Sequence, residues 1–241
     1  YNDCADKIIE TIERITAERL VSEFEDSMAQ LDGYEDLTEK ELRDRLENAK
    51  MLYNKVNVTN YAVEIYEQNT QNMPLEEILE LFDTIDGILE NLALTRFLNL
   101  ITDLNTELDQ VSGVQGITID NAWDFMQLSV PAEKTYDTFT NEFKDENFLN
   151  DGAPYAAQLD TLYSVKQKIS ELKQNSEYID TLDNYETAAL IILNIFYMPQ
   201  NAVSTHLDSV FDVVNDYNLL PSDLKELISQ ENKNHLALAA K

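Results

Sequence analysis

Cysteine occurs once in this 241-residue chain, at Cys4, so no internal disulfide framework can staple the fold. Glycine and proline number five each, too few for a collagen-like or low-complexity chain. A phosphate cradle needs glycines so that the backbone can approach oxyanions, and neither a P-loop nor a GxGxxG stretch is present; Gly113-Val114-Gln115-Gly116 reads as a plain turn. Only two histidines occur, His206 and His235, and no GxSxG elbow, so an activated nucleophile has no obvious base. Cys4, close to a chain end where fraying is expected, reads as an exposed or partner-linked cysteine and not as a preorganised thiolate. A di-iron bundle would place Glu three residues before each histidine, but Val203 and Asn232 stand there. Asp32, Tyr34, Asp36 and Leu37 miss the ligand and glycine positions of a calcium loop. No catalytic residue, cofactor or metal site is therefore expected. No apolar run reaches the ~18–20 residues that span a bilayer. The nearest, Ala188 to Met198, is interrupted by Asn194 and followed by Pro199, and reads as a buried core helix.

Positive charge is the next scarcity. Lys and Arg number 17 against 46 Asp and Glu, a formal charge of −29. Arg96 is the one cation between Lys55 and Lys134, and none lies between Lys173 and Lys225. A field of this sign repels phosphate backbones and anionic headgroups, which excludes nucleic acid as an expected partner and favours a basic protein. Glu76, Glu77, Glu80 and Asp83 recur on neighbouring helical turns within the first of these stretches and form the candidate acidic interaction surface. The competing account is a solvated face that keeps a concentrated protein in solution.

What the chain has in plenty is apolar residues at helical spacing. The hydrophobic content of 44% is enough for a core, and a chain of this length buries roughly 70–75% of its unfolded surface. Spacing near 3.6 recurs throughout without sustained alternation, so the fold class is all-α, a multi-helix bundle of about eight to nine helices. The first helix is predicted over Asp6 to Leu31, with Ile8, Ile12, Ile15, Val21, Phe24, Met28 and Leu31 along one side and Gly33 as its stop. Thr38 and Glu41 form a capping box with Leu37 and Leu42 as its staple, opening a helix that ends in the β-branched, Asn-rich stretch Asn57 to Asn60. Pro74 suits a helix's first turn. From there apolar spacing continues to Val111, long for one helix, which leaves room for a break near Gly87 or Asn91. A short helix around Asn121–Leu128, a second from Pro131 to Phe148 and a turn at Asp151–Pro154 come next. Helices are then predicted at Tyr155–Gln174, Leu182–Tyr197, Asn201–Tyr217 and Ser222–Ala239.

Several short matches recur in order. Ala29-Gln30-Leu31-Asp32 returns as Ala157-Gln158-Leu159-Asp160, Asn60-Tyr61 as Asn184-Tyr185, and Met73-Pro74 as Met198-Pro199, at offsets between 124 and 130 residues across the whole set. The expectation is two pseudo-repeated helical halves packed as one unit, 1–112 and 120–241. The linker is 113–119, bounded at its start by Gly113, with Ile117 to Ile119 the single strand candidate. Tyrosines and phenylalanines such as Tyr53, Tyr61, Tyr66, Tyr136, Phe139 and Phe143 follow helical spacing and read as packing residues, the alternative being the lining of an apolar cavity between the halves. Trp123 beside Phe125 and Met126 reads equally as a hinge anchor or as core.

Asn69-Thr70-Gln71-Asn72 set among acidic, leucine-rich helices, with the Cys4-bearing start, resembles the mosquito salivary 34 kDa family. That resemblance implies a secreted salivary protein that binds another protein without catalysis, and it transfers no site residues. Asn57-Val58-Thr59 is a glycosylation sequon, and the chain begins at Tyr1, as a mature product would; both favour secretion, whereas the lone cysteine favours the cytoplasmic alternative. The expected function is a secreted, non-catalytic binding protein whose acidic surface docks a protein partner. The alternative is a carrier of lipid or a small hydrophobic ligand between the two halves, as a resemblance to insect repeat allergens implies.

Overall fold

A computed structural model describes residues 2–198 and 207–239. The fold is an all-α multi-helix bundle: helix accounts for 81% of the described residues, with no strand among them. The chain divides into two compact units, Tyr1–Leu92 and Ala93–Lys241.

The first unit holds α1 (Asn2–Ala29), α2 (Glu39–Val58), α3 (Ala62–Gln68) and the first half of α4 (Leu75–Gln110). Its core joins Val21, Phe24 and Leu31 of α1 and its end to Leu42, Leu46 and Val56 of α2, and to Ile78, Phe82, Ile85 and Leu89 of α4. The Phe24 ring lies 5.3 Å from Tyr66 and 6.1 Å from Tyr53. Gly33, at φ 70°, supplies the left-handed turn that ends the first helical stretch. The capping box forms as expected: the Glu41 N–H donates to the Thr38 hydroxyl at 3.3 Å, the Thr38 N–H donates to the Glu41 carboxylate at 3.1 Å, and Leu42 is buried beneath them. α2 stops at Val58, where the Asn-rich stretch was predicted to stop it.

Two helical expectations in this unit are corrected. The apolar residues of α1 do not share one side: Ala17, Val21, Phe24 and Leu31 are buried, whereas Ile8, Ile12 and Ile15 are 55–59% exposed. At 100° per residue the second set lies about 180° round the helix from the first. Nor does α4 break near Gly87 or Asn91; it continues for 36 residues, and the Asn91 amide donates to the Gly87 carbonyl at 2.8 Å.

The second unit takes the rest of α4 with α5 (Ala122–Asp137), α6 (Asn141–Lys144) and a π-helical turn (Asp145–Leu149). α7 (Ala156–Leu172), α8 (Ile179–Tyr197), α9 (Leu207–Leu219), α10 (Ser222–Lys225) and α11 (Gln230–Ala239) complete it. One core gathers Phe97, Ile101 and Leu104 of α4, Phe125 and Tyr136 of α5, Phe148, and Leu162 of α7. A second joins Ile191 and Ile195 of α8 to Val210, Val213 and Ile228, and Trp123 packs against both. Trp123 also lies 5.6 Å from the Tyr185 ring, an ordinary packing position.

Here α5 replaces the two predicted helices around Pro131, because the proline sits inside a continuous helix. The carbonyl that loses its partner belongs to the exposed Gln127, where water can serve it. The predicted strand at Ile117–Ile119 is absent. Segment 113–119 lies inside the second unit as a knot of short turns, tied by Asn121, whose side chain accepts from the Thr118 N–H at 2.7 Å and donates to the Gly116 carbonyl at 3.1 Å. Ile117 fills the core with one side chain, which a single buried apolar position explains without a ladder. The predicted helix Ser222–Ala239 is two, because Ile228 turns inward and the Ser229 hydroxyl accepts from the Asn232 N–H at 3.2 Å to start α11 afresh. The predicted helix start at Asn201, Pro199 of the repeated Met-Pro pair, and His206 lie outside the described residues.

Candidate acidic interaction surface

Pro74 opens α4, its carbonyl accepting from the Glu77 and Ile78 N–H groups at 3.0 and 3.2 Å. Glu76 and Glu77 follow in the first turn, where the helix dipole favours negative charge. Burial of Ile78, Phe82, Ile85 and Leu89 fixes the helix's rotation. Glu76, Glu80 and Asp83, at i, i+4 and i+7, therefore stand together on the opposite, exposed face, with the exposed Glu77 about 100° round. Among the described residues, none of these four carboxylates lies within ion-pair distance of a cation. Two apolar side chains that the charge pattern did not single out border them: Leu79, 48% exposed, and Met73, 40% exposed. An exposed Leu three residues from Glu76 and four from Asp83 is the signal that would have found the first.

Several acids elsewhere are compensated locally. On α2, Glu39 pairs with Arg43 at 3.3 Å, and Glu41 is engaged in the capping box. The Thr38 hydroxyl and N–H hold the Glu41 carboxyl below its ordinary value. Asp86, farther along α4, pairs with Lys50 at 2.5 Å. In the second unit Glu133 pairs with Lys166, while Asp183 and Glu186 converge on Lys173 at 2.7 and 2.8 Å. Burial disfavours the Lys173 charge, but the two carboxylates outweigh it and raise its affinity for the proton.

Asn57, the sequon asparagine, is exposed in the last turn of α2, and Cys4 falls in the first turn of α1. Each unit carries an open cleft. That of the first, ≈370 Å³, is walled by Met28, Tyr34, Tyr66 and Leu81, and its Glu25 already accepts from Asn69 and Asn72 at 3.2 and 2.7 Å. That of the second, ≈460 Å³, has Leu190, Leu193 and Tyr197 as apolar lining with Lys134, Asp137 and Asn194. Beside Tyr197, the Arg96 guanidinium lies 4.9 Å from the ring centroid while its Nε donates to the Thr135 hydroxyl at 3.2 Å. Among the described residues, no group of three or more His, Cys, Asp or Glu side chains is arranged to hold a metal ion, and no helix is long and apolar enough to cross a membrane. No protein-family model, curated protein or solved structure matches the chain.

Proposed function

We propose that the chain is a secreted, non-catalytic binding protein that docks a basic protein partner on the acidic face of α4. The observation that supports this reading is the uncompensated row Glu76, Glu80 and Asp83 beside the exposed Leu79. Charge there steers a cationic partner, and the apolar side chain offers the contact that outlasts the encounter. The test is surface plasmon resonance against a lysine-rich amphipathic peptide across a salt series. The on-rate should fall steeply as the Debye length shortens from ~10 Å at 0.1 M to ~3 Å at 1 M. Neutralising Glu76, Glu77, Glu80 and Asp83 together should slow association more than neutralising Glu35, Asp36, Asp44 and Glu47, which share their stretch with Lys40, Arg43 and Arg45. A salt-independent on-rate, or equal effects of the two variants, rejects the docking model.

The alternative, a carrier of a small hydrophobic ligand, draws on the cleft lined by Leu190, Leu193 and Tyr197. It requires affinity indifferent to salt and lowered by Leu193→Asp.

A further inference from the structure

Among the described residues, α1 is the one long helix whose first half places no buried side chain in a core. No side chain from Ala5 to Thr16 is buried, and burial begins at Ala17. Helical turns without tertiary support are marginal in water, yet this segment carries Ile8, Ile9, Ile12 and Ile15, 55–59% exposed. Ile8, Ile12 and Ile15 fall within about 60° of one another and form a seam at coiled-coil spacing. The seam side stays uncovered farther along the helix, through Arg19, Ser22, Glu23 and Asp26. Because Val21 and Phe24 dock on the opposite side, the unit's own core cannot wrap round to cover it.

We propose that this seam pairs with the same seam of a second copy, antiparallel, at the register that sets Ile12 beside Ile12 of the other copy. Three features select that occupant and direction. The segment from Asp6 to Arg19 carries four acids and three bases, so two copies meet there without the repulsion that a chain of charge −29 imposes elsewhere. In the antiparallel register the isoleucines of the two copies come side by side, and Ile9 lies within one residue's rise of the partner's Thr16 on the same flank. On the other flank Lys7 comes within one residue's rise of the partner's Glu18, and by symmetry the contact occurs twice; a parallel pair would instead set Arg19 against Arg19 and leave Lys7 opposite uncharged residues.

Four half-exposed isoleucines offer roughly 400 Å² per copy, about half the ~800 Å² per partner of a standard interface, which places the dimer among weak, transient associations. Sedimentation equilibrium on the full chain from about 5 µM to 1 mM tests it. The expected result is a concentration-dependent monomer–dimer equilibrium that Ile12→Glu abolishes with unchanged circular dichroism, since Ile12 supports no core. Lys7→Glu and Glu18→Lys should each weaken association about three- to tenfold, as surface charge pairs do. The double exchange K7E/E18K should restore it, because it recreates both bridges with reversed sign. A chain that is monomeric at ~1 mM, an Ile12→Glu variant that dimerises like the parent, or a double exchange no better than its single components would each overturn the proposal.

Discussion

Gly87→Ala should stabilise the protein. α4 passes through residue 87 without interruption, the residue has no positive φ, and a Cβ built there meets nothing within 4 Å. With no clash and no strained backbone, the change reduces to helix propensity, in which alanine exceeds glycine by about 0.8–1.0 kcal/mol in a helix interior. For a chain of this size that corresponds to a rise of about 2–4 °C in melting temperature. Gly33→Ala makes the informative partner. Its Cβ also meets open space, but φ is +70°, so the same methyl group should destabilise by roughly 1 kcal/mol. The two variants differ in backbone conformation alone, and the gap of about 2 kcal/mol between them measures it. Urea unfolding followed by far-ultraviolet circular dichroism reads both, with midpoints moving in opposite directions at unchanged slope. A neutral or destabilising Gly87→Ala would refute a helix continuous through that position.

Thr38→Ala should cost about 0.5–2 kcal/mol, because it removes the N-cap acceptor for the Glu41 N–H and half of the reciprocal pair. It should also change the acid response: with the Glu41 carboxyl held below its ordinary 4.5 in the folded protein, its contribution is present above that pH and lost as pH falls through the lowered value. Urea midpoints of parent and variant should therefore converge toward low pH; parallel curves would remove the capping role. Burial first, then the neighbouring Tyr163, pushes the Tyr136 phenol up to about 12. Ultraviolet titration of the twelve tyrosines should show a late component that Tyr136→Phe deletes, and stability should fall as pH rises from the ordinary value of 10.0 through about 12. A titration unchanged by Tyr136→Phe would contradict that assignment.

The sequence by itself determined the fold class and the ends of several helices. Those signals are local: Thr38 and Glu41 satisfy each other's backbone within one turn, Gly33 takes a left-handed φ, and the Asn-rich stretch after Val56 ends α2 whatever packs around it. The exposure of Glu76, Glu80 and Asp83 was equally legible, since Ile78, Phe82 and Ile85 between them dictate which face turns inward. Tertiary structure decided the rest. Pro131 and Gly87 look like breaks in isolation, but burial of Phe125, Val130 and Tyr136 in α5, and of Ile85, Leu89 and Phe97 in α4, holds each helix through them. Ile117 resembled a strand because a single buried β-branched residue carries no period. Period alone also merged the two faces of α1, because it reports spacing and not phase. Only the docking of Val21 and Phe24 on one side showed that Ile8, Ile12 and Ile15 point to the other.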